Sequence, residues 1–237
     1  MSKNYTRAEI IKRLDKDIKA EKLSSLYDES YVNYKGKTSD TNEFYYDVIA
    51  GYLLENKIKT LFEGIETITR QTTYKTPGHE AMTEKERELM LEQKRKEEWL
   101  ARSLLGSKFD AIGEIKDYQV PIKNKRIDKA GKVDLLAYNE KKKLLSLVEL
   151  KREDNEETML RAILEICTYY HLIDKEKLIS DFGYPAASVQ KIVLVSQDSL
   201  QHQQYIKSKI IRKLAKEQKV KVYLLDKNNQ IAEVKNV

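Results

Sequence analysis

The sequence has few of the residues that mark several specialised classes of protein. Its one cysteine, Cys167, cannot form an internal disulfide or a multi-cysteine metal site. Only three prolines and eight glycines occur among 237 residues, which excludes a collagen-like or low-complexity chain. No apolar run approaches the roughly 18 residues that span a bilayer, and residues 1–17 lack the apolar segment of a signal peptide. We therefore expect a soluble protein of the cytoplasm that does not insert into membranes.

Histidine is also scarce. The three histidines, His79, His171 and His202, have none of the spacings, such as HExxH, that are typical of a zinc site. We expect ordinary structural roles for all three.

Charge, in contrast, is plentiful and unevenly placed. Charged residues make up 35% of the chain and hydrophobic residues 41%, as in a globular protein with a polar surface. The net charge is +6, and residues 199–237 contain nine basic against three acidic side chains, so the rest of the chain is balanced. Such a basic segment favours a polyanionic partner such as nucleic acid, although lysine-rich helix faces also maintain solubility.

Two regions are distinguished by their patterns. Apolar residues at helical spacing predict one helix over residues 5–26 and a second from about residue 42 to residue 62. An extended connection follows and is closed by Pro77 and Gly78, so we place a domain boundary there. Residues 1–78 are predicted to form a small, mainly helical N-terminal appendage, and residues 79–237 the main domain.

The main domain alternates between helical and strand patterns. Thr83 and Glu86 form a capping-box pattern that opens a long helix to about Leu105. After it we predict an extended stretch, a hairpin, a helix from Asp154 or Asn155, a strand, a basic helix and two final strands. A hairpin followed by strands reached through helices predicts an α/β fold, in which helices flank a mixed central sheet.

Three charged residues lie in the predicted hairpin, in the segments GKVDLLAY and LLSLVELK. Residues two apart on a strand share a face, so Glu149 and Lys151 point the same way, and Asp134 reaches that point from the neighbouring strand about 4.8 Å away. Acidic-x-lysine triplets are common in this chain, but this one lies in an otherwise apolar strand, where unpaired charges are costly. The competing interpretation is a cross-strand salt bridge on a solvated face.

Two neighbouring carboxylates repel each other unless a cation neutralises them. The hard oxygens of Asp134 and Glu149, with the Leu150 carbonyl as a third ligand, suit Mg²⁺ or Mn²⁺ better than Zn²⁺. Such an ion could act on a phosphodiester by activating a water molecule and stabilising the transition state. Lys151 would position or deprotonate the attacking water, or offset transition-state charge; acting as a base would require a depressed pKa.

This arrangement resembles the PD-(D/E)XK nuclease superfamily over about two thirds of the chain, from Thr83 onwards. The superfamily has an αβββαβ core with an aspartate on the second strand and Glu-x-Lys on the third, matched here by Asp134, Glu149 and Lys151. Val133 stands where many members have proline. The resemblance implies a further helix carboxylate as a catalytic residue and metal ligand, which is Glu98 or, one position earlier, Glu97.

A second motif of some members, Gln-x-x-x-Tyr on the helix after the lysine, is altered here. This chain has Glu165 and Tyr169, four apart on one helix face. Because the glutamine is replaced, we assign both residues to packing and surface roles rather than to the site.

The resulting hypothesis is a Mg²⁺- or Mn²⁺-dependent nuclease that cuts DNA. Basic residues near the hairpin would bind the DNA backbone, since non-specific affinity comes mainly from neutralised phosphates. They are Lys123, Lys125, Arg126, Lys132, Lys141, Lys142 and Lys143. Two alternatives stay open: an RNA nuclease, and a catalytically inactive nucleic-acid- or protein-binding module on the same fold. The N-terminal appendage would confer specificity or form a homodimer.

Overall fold

The computed structural model describes residues 4–20, 22–89, 96–124, 131–184 and 187–234. The α-helices are α1 (Arg7–Lys19), α2 (Tyr45–Glu55), α3 (Ile58–Glu63), α4 (Glu84–Leu89), α5 (Lys96–Ser103), α6 (Met159–Leu172), α7 (Lys175–Phe182), α8 (Leu200–Lys207) and α9 (Lys209–Glu217), with a 3₁₀ helix at Lys22–Asp28. The strands are β1 (Lys108–Phe109), β2 (Gly113–Pro121), β3 (Lys132–Asn139), β4 (Leu144–Lys151), β5 (Ser188–Ser196), β6 (Val220–Leu225) and β7 (Ile231–Glu233). None of the helices in these ranges is both long and apolar enough to cross a bilayer.

The strands form one seven-stranded sheet in which their spatial order follows the chain, from β1 to β7. Strands β1 to β4 pair antiparallel, β4 to β6 pair parallel, and β7 returns antiparallel to β6. The predicted α/β class, with a mixed central sheet flanked by helices, is therefore confirmed. The hairpin predicted from the alternating pattern is β3 and β4, and the switch from antiparallel to parallel pairing occurs at β4.

The sheet separates two apolar cores of different size. On one face, α5 packs against the sheet, and Leu104, Leu135 and Val148 belong to this smaller core. On the other face, a larger core unites the N-terminal helices with α6, α9 and the sheet. Leu14 of α1 and Ile211 of α9 are both members of that second core. The larger core thus contains residues from both sides of residue 78.

Several predicted helices are shorter in the structure because a capping side chain interrupts them. The basic helix predicted over 200–218 is divided at Ser208, whose extended backbone ends α8 and whose hydroxyl accepts the Ile211 N–H at 3.0 Å to begin α9. Asp174 similarly begins α7 by accepting the N–H of Lys177. The helix predicted from Asp154 or Asn155 begins later, at the N-cap Thr158.

The remaining helix predictions fare differently. Lys57, with φ of +52°, separates α2 from α3 within the helix predicted to run to residue 62. The capping box is present, because the Thr83 N–H donates to Glu86 and the Glu86 N–H donates to the Thr83 hydroxyl. Helices α4 and α5 lie within the long helix predicted from there, whose middle, residues 90–95, lies outside the described residues.

Candidate active site at the ends of β3 and β4

The candidate site lies where the β3–β4 ladder stops. Leu135 pairs with Val148, and the next positions in that register are Asp134 and Glu149. Beyond the last backbone pair, the Leu150 N–H donates to the side chain of Asp134, at 2.8 Å from Oδ2. Its other oxygen, Oδ1, accepts the side-chain amide of Gln119 on β2 at 2.9 Å. Asp134 is thus fixed through both oxygens.

Gln119 reaches Asp134 because of an unusual backbone. Its φ of +48° lies in the left-handed region that non-glycine residues rarely adopt. The register of β2 against β3 also shifts between Ile115 and Asp117, as in a β-bulge. Irregular backbone of this kind re-aims side chains, which is how a glutamine with no local sequence signal comes to bind the candidate aspartate.

Lys151 lies at the centre of a cluster of carboxylates. Its Nζ is 2.8 Å from Glu149 Oε1, 2.5 Å from Glu157 Oε2 and 3.4 Å from Glu165 Oε2. The exposed fractions of Asp134, Glu149 and Lys151 are 6%, 3% and 2%. The three residues of the predicted triad are therefore together and buried. Lys151 and Glu149 form an ion pair, but it does not lie on a solvated face.

Helix α6 supplies residues that the sequence analysis assigned to packing. Glu165 approaches Lys151, and its Oε1 accepts a hydrogen bond from the Tyr169 hydroxyl at 2.7 Å. Glu165 is 8% exposed and Tyr169 3%. A Cβ on Gly131 would lie 1.7 Å from that hydroxyl oxygen, so only glycine fits beside it. The spacing of Glu165 and Tyr169, matching Gln-x-x-x-Tyr, was the available signal for their placement.

Glu157 and Arg161 also belong to the site and were missed. Glu157 precedes α6 and contacts Lys151, while Arg161 Nε lies 2.8 Å from Glu157 Oε1 and 3.9 Å from Glu165 Oε2. Both residues occur in a segment dense with charge, where spelling alone does not separate them from surface residues.

The helix carboxylate at the site is Glu97, not Glu98. The Glu97 Oε2 accepts the side-chain amide of Asn155 at 3.1 Å, and its charge acts on Asp134. Successive helix residues point about 100° apart, so Glu98 is directed elsewhere. The pKa of Tyr118 is raised mainly by the burial of Tyr118 itself, and the negative charge of Glu98 raises it further. Of the two positions considered, the structure brings the earlier one to the cluster.

Burial and mutual repulsion make the strand carboxylates hard to ionise. Burial, with the charge of Glu97 next, raises the pKa of Asp134 to about 7. Burial, followed by the charges of Asp134 and Glu165, raises the pKa of Glu149 well above its usual value. These shifts have the direction expected when several carboxylates share a low-dielectric site.

The lysine is held in its charged form. Burial disfavours the ammonium, but the charges of Glu149, Glu165 and Glu157 outweigh it and keep the pKa of Lys151 well above its usual value. Glu165 is also ionised: burial opposes this, yet Lys151 and the Tyr169 hydrogen bond lower its pKa. Lys151 in this arrangement is a cation and does not have the depressed pKa that a general base requires.

The carboxylate oxygens of the cluster are of the type that a hard divalent cation prefers, but they are not arranged as a complete set of ligands. In the described part of the chain, no group of three or more His, Cys, Asp or Glu side chains is arranged to hold a metal ion. The Lys151 ammonium lies between Glu149 and Glu165 of α6 instead. Asp134 and Glu149 nevertheless offer hard carboxylate oxygens, and the negative charge of Glu97 acts on Asp134. A bound dication would lower the pKa values of these two carboxyl groups, which burial and repulsion have raised.

The basic residues predicted to bind DNA are not all near the cluster. Lys132 is exposed and lies two positions before Asp134 on β3. Residues 141–143 are exposed in the β3–β4 turn, at the opposite end of β4 from Lys151, roughly 25 Å away at the rise of a strand. Lys123 follows β2, and its carbonyl accepts a hydrogen bond from Arg70. Lys125 and Arg126 lie outside the described residues.

No protein-family model, curated protein or solved structure matches the chain. Membership of the nuclease superfamily therefore stays a prediction based on the motif. The geometry and charge of the cluster provide the remaining support for a function.

Proposed function

We propose that the protein is a Mg²⁺- or Mn²⁺-dependent nuclease that hydrolyses DNA phosphodiester bonds, with a PD-(D/E)XK-type core. The observation that carries this proposal is the buried cluster of Asp134, Glu149 and Lys151 at the ends of two adjacent strands. The order of α5, β2, β3, β4, α6 and β5 along the chain supports the αβββαβ core.

The cluster carries more acidic than basic groups, which supports a cation as its missing component. Five carboxylates act on one another there, from Asp134, Glu149, Glu97, Glu157 and Glu165, against two cations, Lys151 and Arg161. Burying unpaired carboxylates destabilises a fold, so an arrangement of this kind is typical of sites with a ligand that binds them.

Asp134 and Glu149 would hold the ion, with Glu97 from α5 and the Leu150 carbonyl. The Leu150 N–H faces Asp134, and in an extended strand the carbonyl of the same residue points to the same edge. When bound, the ion supplies Lewis acidity at a phosphate oxygen and lowers the pKa of a water molecule. The Gln119 amide keeps Asp134 oriented towards this edge.

Lys151 acts in this proposal as a positive charge rather than as a base. Its ammonium is fixed by three carboxylates, so it is preorganised to stabilise negative charge that develops on the phosphate. Glu165, itself oriented by the Tyr169 hydroxyl, restrains the ammonium from the α6 side.

The test is cleavage of supercoiled, linear duplex and single-stranded DNA with Mg²⁺, Mn²⁺ or EDTA. We expect metal-dependent cleavage that Asp134→Ala and Lys151→Ala each reduce to background. Lys191→Met is the matched control, because Lys191 is a buried lysine on neighbouring β5 that contacts none of these carboxylates. Cleavage that survives Asp134→Ala would rule out the assignment. Matched RNA substrates in the same assay decide between DNA and RNA.

One observation favours a second candidate, a catalytically inactive nucleic-acid- or protein-binding module. Lys151 already neutralises part of the charge of Glu149, and the described residues contain no ready-made three-ligand group. Calorimetric titration with Mn²⁺ separates the two candidates. Binding that Asp134→Asn abolishes supports the nuclease, whereas no binding by the wild-type protein supports the inactive module.

A further inference from the structure

The N-terminal segment of residues 27–33 is bonded directly to the beginning of α6, the helix that carries Glu165 and Tyr169. Thr158, the N-cap of α6, donates its N–H to Asn33 Oδ1 at 2.7 Å and its hydroxyl to the Val32 carbonyl at 3.0 Å. Thr158 has no exposed surface. These two bonds fix the start of α6 against a segment more than a hundred residues earlier in the chain.

Arg161 connects the same segment to the carboxylates around Lys151. Its Nη1 donates to the Tyr27 carbonyl at 3.1 Å and its Nη2 donates to Asp28 Oδ1 at 3.0 Å. Its Nε lies 2.8 Å from Glu157 Oε1 in an ion pair without a hydrogen bond, and Glu157 in turn contacts Lys151. Because the guanidinium is planar and rigid, the bonds made by Nη1 and Nη2 fix where its positive charge lies beside Glu157.

A second connection runs through two tyrosine rings. Tyr27 packs edge-on against Tyr169, with ring centroids 5.7 Å apart and an interplanar angle of 79°. Tyr169 donates its hydroxyl to Glu165, which contacts Lys151. Edge-to-face pairs have a preferred geometry, so Tyr27 restrains the ring that orients Glu165.

We propose that residues 27–33 are a positioning element of the active site, acting through Arg161 and Tyr169 on the two carboxylates, Glu157 and Glu165, that aim Lys151. This role rests on the proposed nuclease function. It assigns to part of the predicted N-terminal appendage a task in catalysis, and it makes Arg161 a positioning residue that touches neither the metal ligands nor the reacting phosphate.

The physical reason is the freedom of an unsupported glutamate. Glu157 lies before the first turn of α6, where no helix backbone restrains it. Without Arg161 its carboxylate would sample several rotamers, and Lys151 would lose one of its three partners. A displacement of about 1 Å in a catalytic group can reduce turnover on the order of 100-fold.

The test compares Arg161→Ala with Arg7→Ala in the full-length protein. Arg7 is the matched control: it lies on α1 and its Nε is 3.4 Å from Glu43 Oε2, so its ion pair involves neither residues 27–33 nor α6. We expect Arg161→Ala to lower kcat for DNA cleavage on the order of 100-fold while KM changes less than about 3-fold. Arg7→Ala should leave both near wild type.

Two further measurements separate positioning from damage to the fold. Millimolar guanidinium chloride, too dilute to denature, should restore part of the kcat of Arg161→Ala by occupying the vacated site, and should not affect Arg7→Ala. Mn²⁺ affinity, measured by calorimetry, should match wild type in Arg161→Ala, because Asp134 and Glu149 keep their contacts.

The outcomes are distinguishable. Active wild-type protein whose Arg161→Ala variant keeps full kcat, or loses Mn²⁺ binding together with kcat, overturns the positioning role and leaves the nuclease function standing. Wild-type protein that cleaves no nucleic acid with any metal overturns the nuclease function and this role with it. A kcat loss with guanidinium rescue and unchanged Mn²⁺ affinity supports both.

Discussion

Two buried lysines on the same face of the sheet are in opposite electrostatic states. Lys151, at the end of β4, is 2% exposed and has three carboxylate partners that raise its pKa. Lys191 on β5 is 8% exposed, and its ammonium lies 4.7 Å from the centre of the Tyr170 ring. Burial lowers the pKa of Lys191, and the nearby charges of Lys219 and Lys59 lower it further.

The difference shows that burial alone does not determine the charge of a lysine. Both lysines lie beneath α6, one near its first turns and the other near its last. Carboxylates are concentrated at the first end, and within the described residues none forms an ion pair with Lys191. Burying several acidic groups around Lys151 costs desolvation free energy, which the surroundings of Lys191 avoid. Function is therefore expected near the beginning of α6, beside Lys151.

Removing Lys151 should have the largest effect on stability. Lys151→Met leaves Glu149, Glu157 and Glu165 without their shared cation, and breaking a buried ion pair from one side costs about 3–5 kcal/mol. Urea unfolding monitored by circular dichroism at pH 7 measures the loss. A variant as stable as wild type would show that the carboxylates simply take up protons, and the two lysines would no longer differ in kind.

Neutralising a carboxylate of the cluster should stabilise the protein, in contrast to the loss of stability expected for Lys151→Met. The pKa of Asp134 in the folded state is about 7, above the ordinary 3.8. Between about pH 4 and pH 7, Asp134 is protonated in the folded protein but ionised in the unfolded chain. Protonated Asp134 therefore contributes fully to stability below about pH 4, and this contribution is lost as the pH rises through 7.

Asp134→Asn, which cannot ionise, should therefore be more stable than wild type at pH 8 in EDTA. We expect a gain of roughly 1–3 kcal/mol, reduced because an amide oxygen replaces only one of two acceptor atoms. Urea titrations at pH 5 and pH 8 measure it. The wild type should lose stability over this range and the variant should lose less; parallel curves for the two proteins would contradict the prediction.

The contact of Tyr169 with Glu165 should matter less. Tyr169→Phe removes a hydrogen bond to an ionised carboxylate, worth about 1.5 kcal/mol. We also expect a reduction in cleavage rate on the order of 10-fold, as for the loss of an outer partner that orients a site residue. Tyr170→Phe, next on the helix and facing Lys191, is the control that should leave cleavage unchanged. Equal effects of the two changes would remove the distinction between the surroundings of Lys151 and those of Lys191.

Replacing Lys191 should have the smallest effect. Lys191→Met exchanges an ammonium without an ion pair for an apolar side chain of similar length, while losing the contact with the Tyr170 ring. These contributions are opposite in sign, so the stability should stay within about 1 kcal/mol of wild type. Thermal unfolding of the two proteins side by side is sufficient. A loss as large as that of Lys151→Met would mean that Lys191 has its own essential partner.

The sequence was sufficient for the features that depend on local periodicity. Alternation along LLSLVELK predicted a strand with Glu149 and Lys151 on one face, and the same rule brought Asp134 beside them. The sheet type followed from the order of strands and helices. These predictions needed no knowledge of distant contacts.

The remaining features depend on tertiary structure that no local pattern encodes. Gln119 reaches the site through a left-handed backbone in an irregular strand. Tyr27 reaches it across the chain by packing on Tyr169. Glu97 rather than Glu98 faces the cluster because of the rotation of α5 about its axis, which the charged sequence around these two residues does not define. Ser208 divides a helix because its hydroxyl finds a backbone partner.

Cys167 gives this molecule a built-in reporter of how often its main core opens. It lies on α6, has no exposed surface, and burial raises the pKa of its thiol to about 11. Only a thiolate reached by solvent reacts with a thiol reagent, so labelling must wait until α6 separates from the sheet. Because the chain has one cysteine, the unmodified protein yields a single rate of opening. Binding of a divalent ion between β3 and β4 would be detected as a change in that labelling rate, without any substrate.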